Sequence, residues 1–305
     1  MKRLLSIVAG SLILLITAKY FLLDRSSVPQ SSNFSIDFDA VRKLAVVPGK
    51  PLPLSINSLL IGEGAFPSTA VVAGTGFSDH KMVFTSFQIV YPDRTSVIID
   101  SAMNKAMQDE MFSGNPFHQD HFDQMQKAML KSSQILITHE HPDHLGGIAT
   151  APDYAAIRDR VILSEEQING PAVIKSGMTP EMAGKLHPFK YDRIAGIAPG
   201  IVLIKAPGHS PGTQIIYVQL AGGREFLFLG DVVWSTENIE KLTGRPLLIS
   251  LLFLHEDREA VANQIRYLYD LQKQQNDKIH FIIAHDAGQY QDYIKRGLIR
   301  EGFDL

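Results

Sequence analysis

Between residues 139 and 144 the chain reads His139-Glu140-His141-Pro142-Asp143-His144, directly after the apolar run Gln134 to Thr138. Buried imidazole and carboxylate groups need partners that neighbouring histidines do not supply, so this segment is no ordinary piece of core. A metal cation supplies such partners. His139 and His141 are two residues apart and would project to the same side at a strand end. Pro142 stops the extended run and suits the start of a helix, which puts Asp143 and His144 at its N-terminus. Gly146-Gly147 then lets backbone pack closely behind the turn. Any fold for this chain must therefore bring a strand end, a tight turn and a helix start together around a cation site.

More ligand candidates stand downstream, each at the carboxyl end of an apolar run, where functional loops cluster. His209 follows Ile201–Lys205, Asp231 follows Leu227-Phe228-Leu229-Gly230, and His285 follows Phe281-Ile282-Ile283-Ala284. Five histidines and two aspartates exceed what one ion needs, and a carboxylate such as Asp231 can bridge two cations. None of the 305 residues is cysteine, which excludes disulfides, iron–sulfur clusters, thiolate-held zinc and a thiolate nucleophile. With 29 Lys and Arg against 32 Asp and Glu, the net charge is −3. No clustered basic face accompanies that balance, which argues against nucleic acid as a partner and leaves a small-molecule substrate.

The pattern His139-x-His141-x-Asp143-His144, then His209, Asp231 and His285, resembles the metallo-β-lactamase-fold hydrolases over about residues 50–290. The resemblance implies an α/β (α+β) chain folded as an αββα four-layer sandwich with its site at one edge. It implies two divalent metal ions, zinc first and Fe, Mn or Co as alternatives. One ion would take His139, His141 and His209, the other Asp143, His144 and His285, with Asp231 bridging. Asp143 and Asp231 would be the catalytic carboxylates, and a hydroxide between the ions the nucleophile. Asp100, closing the run Ile98-Ile99, looks like the family's aspartate that orients ligands from behind. A simple strand-end cap is the other reading of it.

Within the family, true β-lactamases generally carry cysteine, or a serine-containing variant, at the position of Asp231, so β-lactam hydrolysis is disfavoured. The segment Asp231 to Asn238 is similar to that of acyl-homoserine-lactone lactonases, which place a tyrosine three residues after the aspartate. Trp234 stands there instead, either lining the substrate pocket or packing. The resemblance thus points to hydrolysis of an ester or lactone. Phosphotriester, phosphodiester or thioester hydrolysis, β-lactam hydrolysis, and a catalytically silent metal-binding protein tethered to a membrane are the alternatives.

Three other motifs fail on physical grounds. Gly208-His209-Ser210-Pro211-Gly212 fits the serine nucleophile elbow, but Pro211 has no N–H to give an oxyanion hole. His139-Glu140 begins a zincin motif whose second histidine would fall at Asp143. Gly74-Thr75-Gly76 lacks the third glycine of a dinucleotide loop. His118 and His121 read as a solvated face, and His80, His187, His255 and His280 as structural.

The N-terminus is a separate object. Lys2 and Arg3 precede an apolar run from Leu4 to Leu23 broken in charge only by Lys19, and twenty helical residues reach about 30 Å, the thickness of a bilayer core. Residues 1–25 therefore read as a signal peptide or N-terminal membrane anchor, with membrane contact through 4–23 if uncleaved. Ile16-Thr17-Ala18 fits a cleavage site poorly, so the anchor is preferred, Lys2 and Arg3 cytoplasmic and the body exported to the periplasm or another extracytoplasmic space. Without Lys2, Arg3, Lys19, Arg25 and Asp24 the net charge falls from −3 to −6. Residues 26–45 read as a linker, led by the polar stretch Ser26 to Ser35, and 46–305 as the catalytic domain. Strands are expected at 52–61, 69–73, 82–90, 97–99, 134–138, 161–163, 201–205, 214–220, 225–229 and 279–284, with helices near 120–131, 256–274 and 289–298. The apolar run Leu247 to Leu254 reads as core in preference to a substrate wall or an interface.

Overall fold

Strands buried on both faces read as nearly continuous apolar runs, and most of the apolar runs in this chain become such strands. The computed structural model describes residues 2–275 and 278–305. The side chains of Lys2 and Arg3, on which the expected membrane orientation rests, lie outside the described part. The first sheet contains β1 (Ser55–Pro67), β2 (Asp79–Val90), β3 (Ser96–Ile99), β4 (Gln134–Leu136) and β5 (Val161–Ile162). The second contains β6 (Ile194–Ala198), β7 (Ile201–Lys205), β8 (Gln214–Gln219), β9 (Glu225–Phe228) and β10 (Ile279–Ile282). The short β11 (Arg300–Glu301) returns to the first sheet, giving the orders β11-β1-β2-β3-β4-β5 and β10-β9-β8-β7-β6.

Period-two alternation sorts the side chains into layers. Ile56, Ile89, Val97 and Leu136 of the first sheet meet Leu203, Ile216, Phe226 and Phe228 of the second in the central layer. On the outer face of the first sheet, Leu59, Ile98 and Ile135 pack with Met125 and Met129 of the helix Gln119–Lys131 and Leu145 of the helix Pro142–Ala149. On the outer face of the second, Val202, Ile204, Ile215 and Tyr217 pack with Ile265 and Leu268 of the helix Arg258–Gln275. The result is the αββα sandwich.

Pairing directions place the chemistry. β3 and β4 run parallel, β9 and β10 run parallel, and β7 is antiparallel to β8, which is antiparallel to β9. The carboxyl ends of β3, β4, β7, β9 and β10 therefore open on one edge, and Asp100, His139, His209, Asp231 and His285 follow those ends.

Several expectations need correction. Residues 26–45 are not a free linker: Phe38–Ala45 is a helix capped by Asp37, and Val41 and Ala45 are fully buried against the second sheet. Ser32 Oγ also donates to the carbonyl of Asn263 at 2.8 Å. The run at 69–73 is not a strand but the helical turn Ser68–Val71, because a four-residue apolar run carries no period that separates the two. Leu247 to Leu254 is not core. Leu248–Phe253 forms a π-helical turn at the surface, with Leu252 71% and Phe253 60% exposed. The N-terminal helix Lys2–Lys19 continues through the π turn Tyr20–Asp24. Its stretch Ser6–Asp24 has a mean hydropathy of 2.0, none of it buried, and is long and apolar enough to cross a membrane by length and composition.

Candidate metal centre

The turn after β4 begins as the spacing predicts. His141 occupies the N-cap, Pro142 the first helical position, and Asp143 and His144 complete the first turn. This helix start sits hard against the segment after β3. A Cβ on Gly147 would lie 2.1 Å from the carbonyl oxygen of Ser101, so only glycine allows the approach. Ser101 secures the contact, its hydroxyl donating to the carbonyl of His144 at 2.9 Å and accepting from the N–H of Ile148 at 3.0 Å.

Two ligand sets result, and Asp231 belongs to both. His139, His141, His209 and Asp231 converge in one, and Asp143, His144, His285 and Asp231 in the other, with ligand atoms in each set within 4.8 Å of one another. The carboxylate divides its oxygens between them. Oδ2 lies 3.4 Å from His209 Nε2 and 3.8 Å from His139 Nε2, while Oδ1 lies 2.9 Å from His285 Nε2 and 3.2 Å from His144 Nε2. His141 faces the first set through Nδ1, 3.0 Å from His139 Nε2 and 2.9 Å from His209 Nε2. Tetrahedral coordination with bonds of about 2.0–2.1 Å spaces its ligands about 3.3 Å apart, close to these separations.

The tautomers decide what the sets can hold. His144 Nδ1 donates to Asp100 Oδ2 at 2.9 Å, His209 Nδ1 to Glu256 Oε1 at 2.7 Å, and His285 Nδ1 to the carbonyl of Val83 at 2.9 Å. Each neutral ring then turns an Nε2 lone pair towards a carboxylate. Lone pair facing anion is repulsive unless a proton or a metal cation lies between them. Asp231 Oδ1 is also buried without a hydrogen-bond partner. The donor set thus fits two divalent cations, and the outer hydrogen bonds fix each ring in its ligating form.

Protonation follows the same facing charges. Burial, with the neighbouring His144 next, holds His139 well below the usual imidazole range, and burial followed by His209 pushes His141 down to about 3. Burial alone would protonate Asp231, but His285, His139 and His144 overcome it and hold the carboxyl well below its ordinary value. Burial also opposes charge on His144 and His285, and the facing aspartates reverse it, raising both. The sites that carry protons beside those carboxylates are the ones a metal replaces.

The expected site residues His139, His141, Asp143, His144, His209, Asp231 and His285 all meet at this edge. Asp100 meets them from behind, accepting from Thr138 N at 2.7 Å and Thr138 Oγ1 at 2.9 Å besides His144. It does so with a left-handed backbone (φ 58), an uncommon conformation that Asp tolerates better than most residues. Trp234 is buried, and its indole N–H donates to Asp231 Oδ2 at 2.6 Å. Its ring stacks on Phe66 with centroids 5.8 Å apart. The side chain is thus first of all a partner of the central carboxylate. His118 and His121 hold Glu63 and the carbonyl of Leu60, away from the centre.

Sequence reasoning missed the groups around the ligands. Arg245 and Glu256 form a fully buried ion pair, and Arg245 Nη2 also donates to the carbonyl of Asp231 at 2.8 Å, its guanidinium 4.8 Å from the Trp234 ring centroid. Burial opposes ionisation of Glu256, but Arg245 and then His209 outweigh it and bring the carboxyl down to about 2. Glu140 accepts from Ser210 Oγ at 2.8 Å and ties the His209 loop to the His139–His144 turn. Local sequence carries no signal for these pairs, whose members stand 11 to 70 residues apart. The serine of the rejected nucleophile elbow is therefore a strut.

An N-acyl homoserine lactonase of Bacillus thuringiensis subsp. kurstaki is 26% identical over 155 residues, 51% of this chain and 56% of that protein. A probable metallo-hydrolase of Mycobacterium tuberculosis is 25% identical over 176 residues, 52% of this chain and 56% of that one. The chain thus spans little more than half the length of these curated relatives. A solved quorum-quenching N-acyl homoserine lactone lactonase superposes with a TM-score of 0.62 at 17% identity, covering 80% of this chain and 96% of the other. A dizinc quorum-quenching lactonase gives 0.50 at 15%, covering 77% and 90%. At those identities the likeness is one of fold. The family model of the metallo-beta-lactamase superfamily matches residues 84–272, more than half of the chain, and the protein belongs to that superfamily.

Proposed function

We propose that this chain is an exported, membrane-anchored dinuclear metallohydrolase that opens esters or lactones. The observation that carries the reading is the division of the Asp231 carboxylate between two ligand sets. Two divalent cations held there, zinc foremost, would supply Lewis acidity and a water acidic enough to be a nucleophile at neutral pH. The chain's own groups hold the geometry: Asp231 keeps its charge, the rings keep their tautomers, and Arg245 and Trp234 fix Asp231 at its carbonyl and at Oδ2. The single donor of Trp234 is committed to Asp231, so this side chain shapes the wall of the site and has no proton left for a substrate carbonyl. Half-buried Phe66 stacks on Trp234 and is backed by the buried rings of Phe112 and Phe84. A wall of this kind suits an acyl chain, in keeping with the lactonases among the relatives. The stretch Ser6–Asp24 supports export and anchoring.

The test is metal analysis joined to a substrate panel. The full chain loaded in turn with Zn, Mn, Fe and Co is expected to hold two ions and to turn over lactones or aryl esters faster than phosphotriesters, phosphodiesters, thioesters or β-lactams. Asp231→Ala should abolish turnover with the circular-dichroism spectrum unchanged. Fewer than one tightly held ion per chain, or full activity of Asp231→Ala, would overturn the proposal. A strong preference for a phosphoester would move the reading to that reaction on the same ligands.

A further inference from the structure

The segments that carry the N-terminal helix into the body are the same ones that border the candidate site. Gly74 N–H and Thr69 Oγ1 donate to the carbonyl of Leu23, at 3.2 and 3.1 Å, and Gly244 N–H donates to Ser26 Oγ at 2.9 Å. Ala73 N–H bonds the carbonyl of Gly244 at 3.1 Å, closing the three segments on one another. The helix is thus not a loosely strung leader: its last turn is hydrogen-bonded to Thr69 and Gly74, and Ser26, two residues beyond it, to Gly244.

The segments around Gly74 and Gly244 both lead directly to exposed apolar side chains. Phe77 follows Gly74 by three residues and is exposed. Gly244 leads to Leu251, Leu252 and Phe253, also exposed. Phe253 is nine positions after Gly244, the last six in a π-helical turn, so this rim lies within about 20 Å of Gly244, which is bonded to Ser26 just past the N-terminal helix. The rim is continuous with the site. The Phe253 ring packs edge-on against Phe66 at 6.5 Å, Phe66 stacks on Trp234, and Trp234 holds Asp231. Apolar rings therefore run from the central carboxylate out to the surface, and they emerge beside the anchor.

We propose that the mouth of this site lies against the lipid surface that the N-terminal helix enters, with Leu251, Leu252, Phe253 and Phe77 seated in the interface. The occupant of this patch is a bilayer, because the patch is carried by the segments hydrogen-bonded to the end of a 19-residue apolar span none of whose residues is buried. Its consequence for chemistry rests on the hydrolase reading: the substrate is an acyl ester or lactone whose chain is dissolved in the membrane and passes along Phe253 and Phe66 to the metal centre.

The chain has no cysteine, so one introduced thiol reports on one place. The full chain in phosphatidylcholine vesicles containing a nitroxide lipid is labelled with a fluorophore at Leu252→Cys, or at Gly222→Cys as the control. Gly222 lies in the exposed turn before β9, at the end of that strand opposite Asp231, where a Cβ meets nothing within 4 Å. Strong quenching at 252 and little at 222 is expected. Equal quenching at both, or none at 252, overturns the proposal whatever the protein hydrolyses. A second measurement reads the substrate: Leu251→Ser with Leu252→Ser should lower turnover of a dodecanoyl ester presented in vesicles by about tenfold and leave a soluble acetyl ester unchanged. An equal fall on both esters overturns the membrane route of the substrate, and the quenching result stands apart from whether any ester is turned over.

Discussion

Replacing Glu256 with Gln removes one charge from a pair in which both side chains are only 1% exposed, and it leaves the Arg245 guanidinium buried beside Trp234 with no anion. Breaking a buried pair by removing one partner costs about 3–5 kcal/mol, because the remaining charge is neither hydrated nor paired. For a chain of this size that is a fall in melting temperature of about 5–8 °C. The same carboxylate holds the Nδ1 proton of His209 at 2.7 Å, so its loss also reaches the ligand set of His139, His141 and His209. Loss of such an outer partner typically lowers metal affinity about 10–100-fold. The set containing Asp143, His144 and His285 has no contact with Glu256 and should keep its affinity. Melting of chelator-treated protein, then competition with a zinc dye followed by the emission of Trp234, the only tryptophan, separates the two effects. In an Arg245→Met background the stability cost of Glu256→Gln should shrink, since the orphaned charge is gone. A variant whose stability lies within about 0.5 kcal/mol of the parent, or one that weakens both ion sites alike, would refute the reasoning.

Asp100→Asn should weaken the other ion by about 10–100-fold while the fold persists, because Asn also tolerates the left-handed backbone; an unchanged second binding step in a zinc titration would count against it. Gly147→Ala should destabilise by about 3 kcal/mol in urea unfolding, since the atom it meets is the backbone oxygen of Ser101 and cannot swing aside. Tyr290, hydrogen-bonded to Ser58 and pushed up to about 12 by burial from an ordinary 10.0, contributes stability that is whole below pH 10 and is lost as the pH climbs towards 12. Tyr290→Phe should therefore flatten the loss of urea resistance between about pH 10 and about pH 12, and an identical slope in both proteins would exclude this assignment.

The ligands were legible because His139, His209, Asp231 and His285 sit three or four residues past an apolar strand, and because the two-residue step from His139 to His141 and the Pro142 stop have direct geometric meaning. Asp100 was legible for the same reason. The helix Phe38–Ala45 was hidden in a polar stretch, although Phe38, Val41 and Ala45 have helical spacing. Leu247 to Leu254 misled in the opposite direction. Its composition is that of a core, and only its place beside the site and the N-terminal helix leaves it exposed.

Sequence alone determined the inventory of this protein: imidazole and carboxylate donors without thiolate, a strand-end address for each, and an apolar N-terminal span. Those follow from residue type and short-range period, which act within a few residues. The tertiary structure alone decided that Asp231 splits its oxygens between two sets, that Arg245, Glu256 and Trp234 hold it and His209, and that ring contacts run from Trp234 through Phe66 to the exposed Phe253. Each of these depends on charge or contact between groups far apart in the chain, at distances of a few ångströms that only the packed sandwich sets.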